Sequence, residues 1–372
     1  MKVQKIWTAV VSNRYDGTAR STLHTWTTKN SVLVGLETSD GVVGVGEAWC
    51  DGASPKVTEA MIREEFAPLV RGEDPRFIEH IRSKLLRTMI LSSRGGTATA
   101  AMAAIDIALW DLAGKLVGRP IYQLLGAHSN KAPVYASGGM YGPTITPKSL
   151  AAEMLAALNA GACGIKIKGA GSSLEEEVAR VSALREAIGD EGRLMVDAMF
   201  VLDVPRAIAL ARALEPYNLH FLEACTNATD LRGWRAIREA TIIPLAGPEL
   251  QWSLDLMRDY LSADAIHFLQ FDVILAGGIS HGRRLAALAE AFHKPVTLHC
   301  SASAVGLAAG AHLAASIPNC DSLEYHVLHQ SLFDRLWASG WKLEGGALSI
   351  PDAPGLGLDL DLAKFDVKEV TN

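Results

Sequence analysis

Acidic side chains and one histidine recur at nearly regular intervals in the second half of the sequence. The series comprises Asp197, Glu223, Glu249, Asp272, His299 and Glu324. Successive members are about 23 to 27 residues apart, which is the length of one strand plus one helix in a parallel βα unit. Each member follows a short apolar run. Because the carboxyl ends of barrel strands meet at one mouth, the spacing predicts an active site assembled from these side chains.

The first three acids favour a metal site. Asp197, Glu223 and Glu249 would lie on consecutive strand ends, where unneutralised carboxylates repel one another. A hard divalent cation relieves this repulsion, and Mg²⁺ prefers oxygen ligands. A single acidic residue at a strand end is more often a cap or an ion-pair partner. Three acidic residues at the ends of three consecutive strands instead indicate a Mg²⁺ site. The ion would keep coordination positions for a substrate carboxylate.

Two lysines, Lys166 and Lys168, lie one predicted strand before these acids. Side chains alternate along a strand, so both lysines face the same side, which we expect to be the mouth. Neighbouring ammonium groups lower each other's pKa, and burial lowers it further. One lysine would then be a neutral base near physiological pH. The alternative is a pair of solvated lysines at a strand end.

Asp272 and His299 would lie on adjacent strand ends on the other side of the barrel. A carboxylate beside an imidazole orients the ring and raises its basicity, so this pair predicts a second acid/base group. Glu324 follows on the next strand. A low-polarity setting would keep it protonated and able to donate a hydrogen bond to a developing oxyanion; the alternative is a salt bridge. Structural roles are expected for three other histidines: His80, His220 and His312.

These groups together fit one chemical step, the removal of a proton α to a carboxylate. That proton is weakly acidic, and its removal requires a metal and hydrogen-bond donors to neutralise the enediolate charge. A metal that holds the carboxylate, with a lysine on one face and a histidine on the other, meets this requirement. The sequence places no serine nucleophile elbow, phosphate loop or dinucleotide fingerprint in a context that favours another chemistry.

The elements that must position these residues begin after residue 125. Over residues 126–327 strand-like and helical patterns alternate, and counting from Val134 gives eight strands, so we expect a TIM-type (β/α) barrel. Residues 328–372 contain glycines and prolines that exclude a further βα unit. We expect this tail to return to the N-terminal domain.

Residues 1–125 lack the alternation and predict an accessory α+β domain. Strands are predicted over residues 3–11, 31–38 and 42–48, the last two joined by a hairpin turn at Ser39-Asp40-Gly41. Helices are predicted over residues 56–69, 75–88 and 97–117.

A loop over residues 12–28 carries polar and aromatic side chains suited to a lid over a polar ligand. These side chains are Arg14, Tyr15, Arg20, His24 and Trp26. The alternative is a plain solvated loop.

Composition excludes several classes of protein. The 372 residues are 49% hydrophobic with a formal net charge of −6 and no basic run, which argues against nucleic acid or an anionic membrane as a partner. The most apolar stretch, residues 97–117, is interrupted by charges and is expected to be a buried helix rather than a membrane span. The five cysteines include no Cys-x-x-Cys pair, and the N-terminus has no apolar signal core. We therefore expect a cytoplasmic protein.

Taken together, the motifs resemble the mandelate racemase subgroup of the enolase superfamily over nearly the whole chain. They are Lys166-Ile-Lys168, Val196-Asp197-Ala198, Phe221-Leu222-Glu223, Gly247-Pro248-Glu249, Asp272 with Gly277-Gly278, His299 and Leu323-Glu324. The segment 104–115 (AIDIALWDLAGK) and the tail motif Pro354-Gly355-Leu356-Gly357 are also similar.

This resemblance implies an enolase-like modified barrel capped by the N-terminal domain, with Mg²⁺ and a lysine or histidine base. The implied metal ligands are Asp197, Glu223 and Glu249. The implied catalytic groups are Lys168 as base with Lys166 beside it, His299 with Asp272, and Glu324 as hydrogen-bond donor to the substrate carboxylate. Capping loops select the substrate in such enzymes, which points to residues 14–26 and 49–51, Trp49 among them. A homo-oligomer, a dimer or an octamer, is implied as well.

Three positions depart from the family's common pattern. Met199 stands where relatives often have Asn or a catalytic His, Ala224-Cys225 replaces a common Glu-Pro, and Pro248 replaces a common Gly. None of them is an implied metal ligand, so they bear on the substrate pocket. Met199 weighs against the relatives that have an extra histidine there.

The leading functional prediction is an acid-sugar dehydratase. Lys168 or His299 would remove the α-proton of an aldonate or aldarate, and His299 would protonate the leaving β-hydroxyl to give a 2-keto-3-deoxy acid. A racemase or epimerase that uses the two groups on opposite faces is the first alternative, and a sugar-acid cycloisomerase is the second. A catalytically silent sugar-acid-binding barrel is a remote alternative, because it would predict a missing ligand or base.

Overall fold

A computed structural model describes residues 1–17, 19–51, 54–92, 95–361 and 365–370. None of the helices in this part of the chain combines the length and the apolar composition needed to cross a bilayer. All five cysteines are unpaired.

The N-terminal domain begins with an antiparallel sheet. Its strands are β1 (Val3–Arg14), β2 (Thr28–Thr38) and β3 (Val43–Ala48). The predicted hairpin turn between the last two is confirmed: Gly41 takes a φ of +80°, and its amide donates to the Thr38 carbonyl across 2.9 Å. Left-handed backbone of this kind favours glycine.

Helices follow the sheet. They are α1 (Pro55–Ala60), a π-helical segment (Met61–Phe66), α2 (Ala67–Val70), α3 (Ile78–Ser92), α4 (Thr97–Val117) and α5 (Ile121–Leu124). The predicted bounds of α4 are confirmed. The predicted helix over 75–88 starts too early, because Asp74 accepts a hydrogen bond from the Arg76 amide and the Phe77 amide bonds back to the Asp74 carbonyl, which forms a turn before α3.

Eight parallel strands then form a closed barrel, which confirms the predicted fold class. They are β4 (Lys131–Gly138), β5 (Ile165–Lys168), β6 (Leu194–Asp197), β7 (Phe221–Glu223), β8 (Leu245–Gly247), β9 (Phe268–Asp272), β10 (Val296–His299) and β11 (Cys320–His326). Closure comes from the pairing of β11 with β4, in which Glu324 lies opposite Tyr135. The intervening helices are α6 (Pro147–Asn159), α7 (Leu174–Ile188), α8 (Val204–Leu214), α9 (Leu231–Ala240), α10 (Leu254–Ser262), α11 (Ile279–Ala291) and α12 (Ala304–Ser316).

Apolar side chains fill the barrel interior below the mouth. They are Tyr135, Met195, Phe221, Ala246 and Phe268. Side chains two residues apart on a strand share a face, so Asp197 lies directly above Met195 and Glu223 above Phe221. The apolar layer thus supports a polar layer at the strand ends.

Two buried carboxylates of the N-terminal domain accept hydrogen bonds from barrel helices. Glu47 accepts from the Ser303 amide (2.8 Å) and the Gly306 amide (2.7 Å) at the start of α12. Asp106 accepts from the Ser280 amide (2.9 Å) at the start of α11. An acidic group at a helix N-terminus satisfies free amides and complements the helix dipole. These contacts fix the N-terminal domain over the barrel.

The C-terminal segment contacts both halves of the molecule. After α13 (Asp334–Ala338), a hairpin of β12 (Lys342–Glu344) and β13 (Ala347–Ser349) pairs antiparallel with the first half of β4. A last short strand, β14 (Lys368–Glu369), pairs with β1. The hairpin on the barrel was not anticipated from the sequence.

Candidate active site

Eight polar side chains meet at the C-terminal ends of the barrel strands. They are Lys166, Lys168, Asp197, Glu223, Glu249, Asp272, His299 and Glu324, and all are buried. Strand register brings them together, since Lys168 lies opposite Asp197, Asp197 opposite Glu223, and His299 opposite Asp272. The parallel barrel therefore assembles the regular series into one cluster.

Three of these carboxylates form a candidate cation site. Asp197, Glu223 and Glu249 each offer an oxygen, and the three oxygens lie within 4.8 Å of one another. The buried Glu249 Oε2 has no hydrogen-bond partner among the described residues. Burial, together with the charges of Glu223 and Asp197, holds the pKa of Glu249 well above its usual range. The negative charge of all three carboxylates is therefore unfavourable in the protein alone, and a divalent cation would compensate it.

The turns after two of these strands have left-handed backbone at residues other than glycine. Met199 and Phe200 follow Asp197 with φ of 55° and 59°, and Ala224 follows Glu223 with φ of 52°. The Met199 amide donates to Asp197 Oδ1 across 2.8 Å. Backbone of this kind persists where surrounding contacts impose it, and it is common at functional sites. The turn at Met199 thereby orients the Asp197 carboxylate.

The two lysines are paired with carboxylates rather than with each other. Lys166 Nζ lies 2.7 Å from both Glu223 oxygens and 3.1 Å from Glu324 Oε1, and Lys168 Nζ lies 2.6 Å from Asp197 Oδ2. Burial by itself lowers the pKa of both lysines, but the carboxylates outweigh it and raise both pKa values. The expectation of a lysine with a lowered pKa is therefore wrong for the lysines as they are paired in this structure.

His299 lies between two carboxylates. Its Nδ1 is 2.7 Å from Asp272 Oδ2, and its Nε2 is 3.5 Å from Glu324 Oε2. The Ile274 amide donates to Asp272 Oδ1 and orients that carboxylate. Burial lowers the pKa of His299, but Glu324 and Asp272 outweigh burial and raise it to about 9. An imidazole in this setting is a cation at neutral pH.

Glu324 is a carboxylate in this arrangement, which differs from the expectation of a protonated donor. Burial raises its pKa, but Lys166 and His299 more than offset burial and hold the pKa well below the usual range. The Cys300 amide also donates to its Oε2 across 3.1 Å. Glu324 is thus an acceptor that links Lys166 and His299, which corresponds to the alternative expectation of a salt bridge.

Only some of the predicted lid residues lie over the cluster. The Trp49 ring lies 5.6 Å from the His299 ring, the buried Trp26 packs against His329, and the Tyr15 hydroxyl lies 2.7 Å from His329 Nδ1. The other three predicted residues, Arg14, Arg20 and His24, are exposed. His24 packs edge-on against Trp26, and the Arg20 guanidinium lies over the Tyr141 ring at 5.3 Å.

Sequence reasoning missed a network that ties the lid to the barrel. His329 bonds to Tyr15 on one side and, across 3.0 Å, to Ser301 Oγ on the other. Ser301 Oγ donates to Asp51, and the buried Lys29 donates both to Asp51 and to the Ser301 carbonyl. These residues come from three separate chain segments, so no spacing pattern signals them. The network joins the segment that carries Tyr15 and Lys29 to the residues that follow β10 and β11.

Three further polar groups near the cluster were also missed. Gln270 Nε2 donates to Glu223 Oε2 across 2.8 Å, while Ser137 and His326 are buried at the ends of β4 and β11. Gln270 and His326 each lie two residues along a strand from a side chain that the sequence did suggest, whereas no side chain was suggested on the strand of Ser137. Gln270 precedes Asp272 by two residues, and His326 follows Glu324 by two. The period-two rule was the signal that could have found them.

The histidines expected to be structural lie away from the cluster. His80 is largely exposed beside Glu73, His220 pairs with Asp321, and His312 is buried in α12 with its Nδ1 accepting from the Tyr122 amide.

A polar cavity of about 490 Å³ is lined by Asp190, Arg193 and other residues that precede the barrel strands. It lies at the opposite end of the barrel. We place the candidate active site at the C-terminal ends of the strands because the buried acidic and basic side chains converge there.

Comparison with protein families gives matches to both halves of the chain. Residues 6–126 match the mandelate racemase / muconate lactonizing enzyme N-terminal domain. Residues 149–364 match the enolase C-terminal domain-like family.

Individual relatives cover nearly the whole chain. An arabinonate dehydratase of Saccharolobus solfataricus is 32% identical over 90% of this chain and 89% of that protein. A 3,6-anhydro-alpha-L-galactonate cycloisomerase of Streptomyces coelicolor is 34% identical over 90% of each. The crystal structure of a racemase from Streptomyces coelicolor A3(2) with bound magnesium aligns with a TM-score of 0.88 at 31% identity, over 97% of this chain and 98% of that one. These similarities and the two family matches confirm the predicted family, and the chain belongs to the mandelate racemase / muconate lactonizing enzyme group of the enolase superfamily.

Proposed function

We propose that this protein is a Mg²⁺-dependent acid-sugar dehydratase. The observation that carries the proposal is the convergence of Asp197, Glu223 and Glu249 on β6 to β8, flanked by Lys168 on β5 and by His299 on β10. Such a site can hold a substrate carboxylate and place acid/base groups on two sides of its α-carbon. The similarity to an arabinonate dehydratase supports a sugar acid as substrate.

The donor set fits Mg²⁺. It consists of three buried carboxylates, and one buried oxygen of Glu249 has no hydrogen-bond partner in the part of the chain that the structure describes. When bound, the ion would neutralise charge that develops on the substrate carboxylate and would compete with Lys168 for Asp197, which lowers the pKa of the lysine. The similar racemase structure, which contains magnesium, supports this assignment.

In the proposed reaction, neutral Lys168 accepts the proton from C2 of the substrate at Nζ. His299, protonated at neutral pH, donates the Nε2 proton to the C3 hydroxyl, which leaves as water. The electron pair of the C2–H bond forms the C2=C3 bond of an enol, and protonation at C3 with loss of the proton from the C2 hydroxyl gives the 2-keto-3-deoxy acid. Asp272 orients His299 through Nδ1, and Glu324 keeps it charged. For substrates of the opposite C2 configuration, His299 is the group on the face of the α-proton.

Racemisation or epimerisation is the second candidate. Lys168 and His299 approach from different strands, so one group could remove the C2 proton from one face while the other donates its own proton to C2 on the opposite face. The similarity to a solved racemase favours this candidate. A cycloisomerase remains the third, with a similar curated relative.

We also propose a cytoplasmic location and a homo-oligomeric assembly, either a dimer or an octamer. Five unpaired cysteines support the location, because a reducing compartment keeps thiols free. The proposed oligomer is inferred from the family resemblance, and light scattering of the purified chain tests it.

The proposed division of the chain into domains is a capping domain at 1–125, a barrel at 126–327 and a tail at 328–372.

The function is tested by incubating the protein with aldonic, aldaric and aryl-hydroxy acids and Mg²⁺ in deuterated water, followed by proton NMR. We expect one sugar acid to give a 2-keto-3-deoxy product with deuterium at C3. Exchange or inversion at the α-carbon without loss of water would contradict dehydration and favour the racemase. Activity that persists in excess chelator would contradict the role of Mg²⁺.

A further inference from the structure

The strand order fixes where the far end of a substrate must lie. The proposed metal ligands Asp197 and Glu223 end β6 and β7, and Glu249 follows β8, while Lys168 and His299 end β5 and β10. In a closed barrel of eight strands, β11 and β4 lie opposite β7 and β8. A substrate with its carboxylate at the metal ligands and its α-carbon between the two acid/base groups therefore extends toward the ends of β11 and β4.

Two buried polar side chains without partners lie at those strand ends. Ser137 on β4 is 0% exposed and His326 on β11 is 2% exposed. Neither Ser137 Oγ nor His326 Nδ1 has a hydrogen-bond partner among the described residues. The two residues lie opposite each other in the β11–β4 pairing, and Ser137 lies opposite Lys166 in the β4–β5 pairing. Both side chains thus share the inward face of Lys166 and Glu324.

An aromatic surface covers this pair. His329 stacks on His326 with ring centroids 4.3 Å apart, and the Trp26 ring lies 6.4 Å from His326. His329 is also the residue that the lid contacts through Tyr15. Ser137 and His326 are therefore neutral hydrogen-bonding groups beside aromatic rings, a combination that suits the hydroxyls and the C–H faces of a polyol.

The lysines around this mouth already have carboxylate partners. Lys166 is paired with Glu223 and Glu324, Lys168 with Asp197, and Lys29 with Asp51. His326 adds no positive charge, because burial, reinforced by the Lys168 cation, lowers its pKa to about 3. Arg180, a buried cation at the ends of β4 and β5, lies 3.8 Å from Glu177 and donates to the Gly139 and Lys168 carbonyls. These lysines and Arg180 are thus already paired, so a second substrate carboxylate buried beside Ser137 and His326 would find no free cation there among the described residues, and a buried charge without a partner is strongly unfavourable.

We propose that Ser137 and His326 bind the hydroxyl groups at the distal end of the substrate, and that this end is uncharged, so that the substrate is an aldonate and not an aldarate. This inference rests on the proposed function, since it assumes a sugar-acid carboxylate at the metal ligands. It narrows the substrate class and names the residues that select it.

The test measures binding by calorimetry in excess Mg²⁺, with turnover prevented by a Lys168→Met background. The probes are five- and six-carbon aldonates, the aldarates of matching configuration, and four-carbon aldonates that lack the distal hydroxyls. We expect the best aldonate to bind about 100-fold or more tightly than its aldarate. Ser137→Ala and His326→Asn should each weaken binding of the long aldonate about fivefold to tenfold and leave the four-carbon acids unaffected.

The matched control is Ser349→Ala. Ser349 Oγ is also a buried hydroxyl oxygen without a partner, but it lies on β13 opposite Lys131, at the other end of β4. It should change neither affinity nor selectivity. If Ser137→Ala weakened binding of long and four-carbon aldonates equally, Ser137 would have a structural role and the assignment would be overturned. His326→Asn provides an independent check if the serine variant folds poorly.

The possible outcomes separate the inference from the function. Aldarates that bind as tightly as aldonates would overturn the inference, while dehydration of those aldarates by the wild-type protein would leave the proposed function standing. Tight, selective binding of aldonates without loss of water in deuterium NMR would overturn dehydration and support the inference. Absence of binding by every sugar acid would overturn both.

Discussion

Lys168 and Asp197 lie side by side at the ends of β5 and β6, and the lysine Nζ donates to Asp197 Oδ2 across 2.6 Å. The proposed base is thus the counter-ion of a proposed metal ligand. A divalent cation at Asp197 would weaken this ion pair, and a lysine that loses a carboxylate partner becomes easier to deprotonate. Ionisation of the base and binding of the metal are therefore coupled.

Replacing Lys168 with Ala should reduce kcat for dehydration by about 10²- to 10⁴-fold, because the general base is lost. Binding of Mg²⁺, measured by calorimetry, should be retained, since the three carboxylates are unchanged. Lys148→Ala, at an exposed lysine in the first turn of α6, is the control and should behave as wild type. Activity of the Lys168 variant within about tenfold of wild type would show that another group is the base.

Mg²⁺ should raise the thermal stability of the wild-type protein. An ion present at 100 times its Kd and bound only by the folded state adds about 2.7 kcal/mol to the free energy of unfolding. Glu249→Gln should abolish this Tm increase while leaving the metal-free protein as stable or more so, because burial and the neighbouring Glu223 and Asp197 already disfavour the charged form of Glu249. Glu239→Gln, at an exposed position, should retain the full Mg²⁺ effect.

The pH profile should reveal the protonation state of His299. Its pKa is raised from 6.5 to about 9, so a general acid at this position is charged and active below about pH 9 and loses activity above it. The charged form also stabilises the fold: its contribution is complete below about pH 6.5 and is lost as the pH rises through about 9.

Asp272→Asn should move the alkaline decline of kcat/KM to lower pH, because one of the groups that raise the pKa of His299 is neutralised. Asp255→Asn, at an exposed aspartate on α10, should leave the profile unchanged. A rate that increases through the same pH range would identify His299 as the base and Lys168 as the acid.

Tyr15→Phe should weaken closure of the lid. The change removes only the hydroxyl that lies 2.7 Å from His329 Nδ1, and a hydrogen bond of this kind is worth about 1 kcal/mol, or about a fivefold rise in KM. Limited proteolysis within residues 16–27 should become faster as well. Tyr217→Phe, at a half-buried tyrosine outside the mouth, is the control. An unchanged KM and an unchanged cleavage rate would exclude a role for this contact in closure.

The regular spacing of the acid series allowed the barrel and its polar cluster to be predicted from sequence. In a parallel barrel the last residues of every strand lie at the same end. Side chains that recur once per βα unit along the sequence are therefore close together in space. The two-residue alternation similarly placed both lysines on the inner face. The positions of Lys168, Asp197 and His299 in the mouth could therefore be derived before any contact was known.

The charge states in the site could not be derived in this way. Lys166 contacts Glu223, 57 residues away, and Glu324, which becomes its neighbour only because β11 closes the barrel against β4. Sequence proximity suggested that the lysines lower each other's pKa. The closed barrel instead surrounds them with carboxylates, and this also keeps Glu324 ionised.

By itself, then, the sequence determined the fold class, the family and the identities of the groups at the mouth, because these depend on patterns that repeat along the chain. Only the tertiary structure decided which of those groups pair, which lid residues face the site, and where Lys29, Ser137, His326 and His329 lie. Such contacts join segments that are distant along the chain, and they arise from closure of the barrel and docking of the N-terminal domain. The energies of the buried charges depend on those distances.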